Sequence, residues 1–257
     1  MYSLKKKIKY SVSIIVFFFI FIACLNIFTE NIVHTISYDR SEINKLNLII
    51  DPGHGGEDGG AVSKSNIRES ELNLAITLKT KDILGLYGII PTLTRDSEEI
   101  DYPSSADSIH SKKVADQKAR LELINSTPNA ILISIHQNNF SSTKPFGSET
   151  LYSQTEGSKE FAENMQSLLI NNLNPENYRI ASKISDSIYL MNNIKCPGIL
   201  IECGFLSNPQ EESLLKTDAY QLKISSVIAG GYLSNESQLA QLYFGGTNES
   251  ENSFLLH

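Results

Sequence analysis

Residues 130–136, Ala-Ile-Leu-Ile-Ser-Ile-His, decide the fold. The run is continuously apolar except for Ser134, is bounded by Pro128 and His136, and is too short for a typical helix. A strand without polar alternation is buried on both faces, which is the habit of a parallel sheet covered on each side by helices. Working outward, Leu46–Ile50 is a second short apolar run stopped by Asp51-Pro52-Gly53. From Ile67 to Tyr87 the residues Leu72, Ala75, Ile76, Ile83 and Leu86 recur at helical spacing, with Gly88 as the stop. Ile89–Thr94 reads as a strand that Pro91 pushes to a sheet edge. Val114, Leu121 and Ile124 mark a helix between Ser111 and Asn125. Glu149–Tyr152, Ile188–Met191 and Ile199–Ile201 read as strands, and Ser158–Leu173 and Asp218–Tyr232 as helices. The alternation predicts an α/β fold: one domain with a mostly parallel twisted β-sheet flanked by helices on both faces.

The flanks of that domain have a different character. Lys5, Lys6, Lys7 and Lys9 precede an uncharged stretch from Tyr10 to Thr29 whose centre reads IIVFFFIFIACL. This is just long enough to span a bilayer as a helix. The lysines would stay cytoplasmic and the rest of the chain would lie outside. Residues 1–29 are therefore expected to be an N-terminal transmembrane anchor. A cleaved signal peptide, which would leave the protein secreted, is the competing reading. Residues 30–44 read as a linker, 45–233 as the folded domain, and 234–257, with GGTNESENS, as a tail.

Composition excludes several classes. With 257 residues, 41% hydrophobic and 20% charged, the chain is neither disordered nor collagen-like. Its net charge is −7, and the only charges in residues 1–29 are lysines, so the remainder is more acidic still. A nucleic-acid partner would favour the opposite sign. The cysteines Cys24, Cys196 and Cys203 have no zinc-finger spacing. Cys196 and Cys203 read as small buried thiols, with a bridge between them as the alternative.

The uncommon polar residues fall at strand ends. His54 lies in the loop Asp51-Pro-Gly-His-Gly-Gly-Glu-Asp-Gly-Gly60, His136 follows the 130–135 strand and Glu202 follows the 199–201 strand. Ligands of open α/β sheets bind beyond the carboxyl ends of the strands, so these three side chains could meet in one crevice. Glu69 opens the helix that follows the His54 loop. Two imidazoles and one carboxylate are a ligand set of many catalytic zinc sites, and a carboxylate nearby would supply a general base. Against this, two histidines of five can reach strand ends by chance. A Cys203 nucleophile with His136 as its base is a further reading. The glycine-rich loop has Asp58 where the third glycine of a dinucleotide fingerprint belongs, and neither Gly-Lys-Ser/Thr nor Gly-x-Ser-x-Gly occurs. Arg95 and Arg120 read as fold-supporting partners of carboxylates.

The strings LIIDPGHGGEDGGA, IRESELNLAI, LTRDSEE, ARLELIN, ILISIHQN, FGSETLY and ILIECGFLSNPQEE, in this order from Leu46 to Tyr232, resemble the zinc-dependent N-acetylmuramoyl-L-alanine amidases of the Amidase_3 type. The apolar N-terminus, the lack of a separate wall-binding module and the insert before residue 111 look most like the sporulation and germination-related CwlD-type members. The resemblance implies a Zn2+ cofactor held by His54, Glu69 and His136, with Glu71 as a rival to Glu69 in poorer register. It also implies Glu202 as catalytic acid/base. Gln137 stands where the family usually has Ala, and Cys203 fits the position after the glutamate loosely. Asn138 is a candidate substrate contact, with a plain turn role as the alternative. The implied substrate is peptidoglycan, cut between N-acetylmuramic acid and L-alanine. In germination-type relatives this cut in spore cortex precedes muramic δ-lactam formation, which needs a separate deacetylase. The acidic body without a wall-binding module motivates an accessory envelope protein as partner. The protein would then sit in the envelope of a sporulating bacterium. A non-catalytic peptidoglycan-binding or scaffold module is the rival from another class.

Overall fold

The run at residues 130–135 does form the middle of the sheet. In the computed structural model, which describes residues 46–245, all within the unit Lys45–His257, it belongs to strand β3, Ala130–Asn138. In chain order the other elements are β1 (Asn47–Pro52), α1 (Glu69–Leu86), β2 (Thr92–Leu93), α2 (Ile109–Ser126), β4 (Glu149–Tyr152), α3 (Ser158–Leu173), β5 (Ser182–Lys183), α4 (Tyr189–Asn193), β6 (Gly198–Phe205), α5 (Pro209–Leu215) and α6 (Asp218–Phe244). The six strands lie in the order β2-β1-β3-β6-β4-β5. Every neighbouring pair is parallel except β4 with β6. This is the mostly parallel α/β sheet that the apolar runs predict.

Alternate residues of the central strands feed two cores. Leu48, Ile50, Ile131, Ile133, Ile135, Ile199 and Ile201 are buried with residues of α1, α3 and α6. Ile49, Ala130, Leu132 and Leu200 are buried with Ile124 of α2 and Leu190 and Met191 of α4. Both faces are dry, so no polar alternation survives; each fully buried isoleucine contributes about 2 kcal/mol.

Four local expectations need correction. Ile188–Met191 is not a strand: residues 189–193 form the helix α4, whose Leu190 and Met191 sit on the sheet. Asn192 Nδ2 donates to the carbonyls of Ser185 and Ile188 at 2.8 Å, winding the segment into a turn. A short apolar run cannot distinguish the two periods. The strands β3 and β6 run on past Ile135 and Ile201, so His136 and Glu202 lie inside strands rather than beyond them. Ile89–Thr94 shrinks to the two-residue edge strand β2, as a proline at 91 allows. The last helix continues through Ser234, where the tail is expected, to Phe244. Buried Leu239 and the Tyr243 hydroxyl, which donates to the Ala130 carbonyl at 2.7 Å, hold that extension on the domain. The polar residues Ser234, Asn235, Ser237 and Gln238 hide it from a periodicity reading.

No helix among the described residues is long and apolar enough to cross a membrane. The expected anchor at 1–29 and the linker at 30–44 lie outside the described residues.

Candidate active site

The site begins where β1 ends. Asp51 is buried, and Arg120 of α2 donates Nη1 to its Oδ1 at 2.7 Å. Thr94 and Ser134 donate their hydroxyls to it at 2.6 and 2.7 Å. Burial alone would raise this carboxyl, but the Arg120 charge and the two hydroxyls bring it down to about 2. Arg120 also donates to the Pro52 and His54 carbonyls at 2.8 and 2.7 Å. Arg95 donates to the carbonyls of Pro52, Gly53 and His54 at 3.0, 3.1 and 2.6 Å. Two buried guanidinium groups therefore gather three successive carbonyls to one side, and His54 adopts a φ of 61°. That left-handed turn costs a non-glycine residue on the order of 1 kcal/mol, which these charge-assisted bonds offset. The two arginines support the fold, as expected.

The turn delivers the His54 ring to Glu69. His54 Nε2 lies 3.4 Å from Glu69 Oε2, and His136 Nδ1 lies 3.0 Å from Glu69 Oε1. Ligand atoms of His54, Glu69 and His136 all fall within 4.8 Å of one another. Close approach depends on two glycines: a Cβ at Gly53 would lie 2.2 Å from the His136 ring, and one at Gly60, whose φ is +68°, would lie 2.6 Å from Glu69 Oε2. Glu71 is exposed, so Glu69 is the acid of this pair that faces the histidines.

Two members of the trio are held from behind, and the third, His136, leans on Glu69. His54 Nδ1 is 3.0 Å from Asp58 Oδ2. An ionised carboxylate only accepts, so Nδ1 donates to Asp58, and Nε2, the ring nitrogen turned to the Glu69 side, is the one available to a metal ion. The hydrogen bond from His54, together with Lys113 at 2.9 Å, keeps the Asp58 carboxyl below the ordinary range. Glu69 accepts from the backbone N–H groups of Ala61 at 2.9 Å and Gln137 at 3.1 Å, and from Asn73 Nδ2 at 3.3 Å. Burial would raise Glu69, but His136, His54 and the Ala61 N–H bring it to about 2. Burial would lower His136, and the Glu69 carboxylate raises it instead. Two imidazoles and a carboxylate, with His54 oriented by Asp58 and Glu69 by backbone N–H groups and Asn73, fit a zinc ion, a donor set that leaves a fourth position for water.

Glu202 pairs in register with His136 across β6 and β3, and with Glu149 across β6 and β4. Directly paired residues share a sheet face, so His136, Glu202 and Glu149 form a row. The Glu202 Oε2 is buried and accepts no hydrogen bond among the described residues. Burial first, and then the Glu69 and Glu149 charges against the opposing pull of His136, carries this carboxyl up to about 7. The trio and Glu202 line one cleft of about 400 Å³, whose lining also includes Lys113 of α2 and Tyr189 of α4.

The remaining candidates separate from this cleft. Asn138 is outside its lining: it is the last residue of β3, in register with Phe205 of β6, its side-chain oxygen accepts from the Asn139 N–H at 2.9 Å and its carbonyl from the Leu206 N–H at 2.8 Å. Cys196 and Cys203 are both free and buried, so no bridge joins them. Cys203 belongs to the core on the opposite face of the sheet, and burial pushes its thiol far above the usual range. It has neither the exposure nor the ionisation of a nucleophile. Sequence reasoning missed Asp58 and Asn73 as partners of the trio. Asn73 had a signal, one helical turn after Glu69 on the same face; Asp58 had none, because loop spacing does not determine contact.

A family model described as N-acetylmuramoyl-L-alanine amidase (Amidase_3) matches residues 48–233. The chain belongs to that family. It is 37% identical over 187 residues to the germination-specific N-acetylmuramoyl-L-alanine amidase of Bacillus subtilis, an alignment covering 72% of this chain and 78% of the relative. It is 32% identical over 190 residues to the amidase LytC of the same organism, covering 73% of this chain and 35% of LytC. Among solved structures, the CwlD amidase from Clostridioides difficile, in complex with the GerS lipoprotein, superposes with a TM-score of 0.72 at 35% identity, covering 75% of this chain and 99% of that one. The amidase is thus an enzyme of the class that cuts peptidoglycan between N-acetylmuramic acid and L-alanine, rather than a binding or scaffold module.

Proposed function

We propose that this amidase uses a zinc ion held by His54, Glu69 and His136, with Glu202 as acid/base, to release stem peptides from spore-cortex peptidoglycan. The observation that carries the reading is the convergence of the trio in one cleft beside the half-buried Glu202, whose buried Oε2 has no donor among the described residues. When bound, zinc would polarise the scissile carbonyl, acidify an attacking water and offset charge developing on oxygen. Glu202 takes a proton as the water oxygen bonds to the lactyl carbonyl carbon. It returns that proton to the L-alanine nitrogen as the carbon–nitrogen bond breaks. Burial and the Glu69 and Glu149 charges push this carboxyl toward its protonated form, which suits a group that must both take and return a proton.

Similarity to the germination-specific enzyme supports cortex as the substrate and a role ahead of muramic δ-lactam formation, completed by a separate deacetylase. The lysines and apolar stretch of residues 5–29 support anchoring to the membrane with the domain outside the cytoplasm, or secretion if that segment is cleaved. The lipoprotein-bound relative supports an accessory envelope protein as partner of this chain too. The test is amine release from purified cortex by the full-length chain with and without a chelator, together with its zinc content. Release that persists undiminished without metal would overturn the zinc reading.

A further inference from the structure

At the same end of the sheet as the cleft, four large apolar side chains stand in solvent: Phe140, Phe146, Tyr178 and Ile180 are 50%, 40%, 89% and 80% exposed. They come from two distant segments, the loop after β3 and the loop between α3 and β5, and both segments are pinned. Buried Glu211 accepts from the Gly147 and Phe205 N–H groups, each at 2.8 Å, and Asn208 Nδ2 donates to the Pro145 carbonyl at 3.1 Å. Asn177 Nδ2 donates to the Ser148 carbonyl at 2.7 Å. Arg179 ties the two together: its Nε donates to the Phe146 carbonyl at 3.3 Å, and its guanidinium lies 4.7 Å over the Phe205 ring, which meets Phe140 at 5.2 Å. The rings are therefore held out on an ordered backbone.

This surface adjoins the strand row that carries Glu202. Arg179 Nη1 pairs with Glu149 Oε2 at 3.3 Å, and Glu149 stands in register beside Glu202. We propose that the surface is a subsite for the glycan strand, where sugar rings neighbouring the cleaved muramoyl residue lie against Phe140, Phe146 and Tyr178. The inference rests on the amidase reading above. The scissile amide joins a polymer of sugars to a peptide, so the two parts leave the reacting carbon in opposite directions and each needs a wall. The stem peptide carries carboxylates, and the cleft lining on the His54 side includes Lys113, paired with Asp58 at 2.9 Å. Uncharged pyranose rings have apolar faces that suit exposed, flat aromatic side chains. An apolar patch rimmed by polar groups and bordering a cleft is the form a ligand groove takes.

The test compares kcat/KM of the full-length chain on long peptide-bearing glycan strands with kcat/KM on a single N-acetylmuramoyl-tripeptide. In the double variant Phe140→Ala/Tyr178→Ala the ratio of polymer to monomer should fall about tenfold. Tyr178→Phe, which keeps the ring, should keep the ratio. Because Tyr178 is almost wholly exposed, its truncation leaves the core intact. An unchanged ratio in the double variant, the outcome if this surface serves a protein partner, would overturn the subsite alone. Failure of the unaltered chain to release peptide from either substrate would overturn the amidase reading and the subsite with it.

Discussion

Two carboxylates on one face of the sheet are treated in opposite ways. Asp51, at the end of β1, is buried and receives an arginine and two hydroxyl groups, which bring it to about 2. Glu202, on β6, has a buried oxygen with no donor and two other carboxylates for company, and rises to about 7. Burial acts on both; the donors decide the sign. A buried acid saturated with donors is part of the framework, and here it braces the arginine that positions the His54 loop. A buried acid left unsatisfied at a cleft is costly for stability and useful only if its proton moves.

The largest effect should come from the unsatisfied member. Glu202→Gln keeps size and polarity but cannot carry the proton, so hydrolysis should fall by about 10²–10⁴ while zinc content stays normal. Turnover near that of the unaltered chain would end the acid/base role. Asp51→Asn attacks the other member by stripping a partner from buried Arg120; a loss of about 3 kcal/mol is expected in urea unfolding. Acid makes the same comparison without mutation. A carboxyl depressed from 3.8 to about 2 stabilises the fold fully above its unfolded pKa and loses that contribution as pH falls through about 2. The shift corresponds to about 2 kcal/mol, and the acid limb of a stability–pH curve should flatten by that amount in Asp51→Asn.

The contrast also marks what was legible in the sequence. Continuous apolar runs at 46–50, 130–135 and 199–201 reveal a sheet dry on both faces, because such runs have little other use. Apolar runs that give way to histidine or glutamate reveal where chemistry gathers, near the carboxyl ends of the strands, although His136 and Glu202 lie inside β3 and β6. Choosing Glu69 over Glu71 took the resemblance, and the folded geometry agrees through burial and the Ala61 and Gln137 N–H groups. Hidden from the sequence were contacts made by loops and short elements: the Asp58 brace, helix α4 read as a strand, and the polar-faced end of α6. Each depends on tertiary partners that no local period encodes.

Asp58 lies between the two extremes, a half-buried acid whose donors are His54, Lys113 and the Gly60 N–H. Its removal leaves the metal trio intact but frees the His54 ring to rotate. Asp58→Ala should weaken zinc binding about tenfold, measured by competition with a chromophoric chelator, with stability little changed. Unchanged affinity would mean that the arginine-held backbone alone orients the ring.

The smallest effect should come from Cys203, one residue beyond Glu202 on the same strand and facing the other way. Both side chains are pushed toward their neutral forms by burial, yet only one borders the cleft. If raised pKa alone marked function, the two would matter equally. If position relative to the trio decides, Cys203→Ala should cost about 1 kcal/mol of stability through lost packing and leave hydrolysis intact. A folded but inactive Cys203→Ala variant would reopen the thiol as nucleophile and remove Glu202 from the centre of the mechanism.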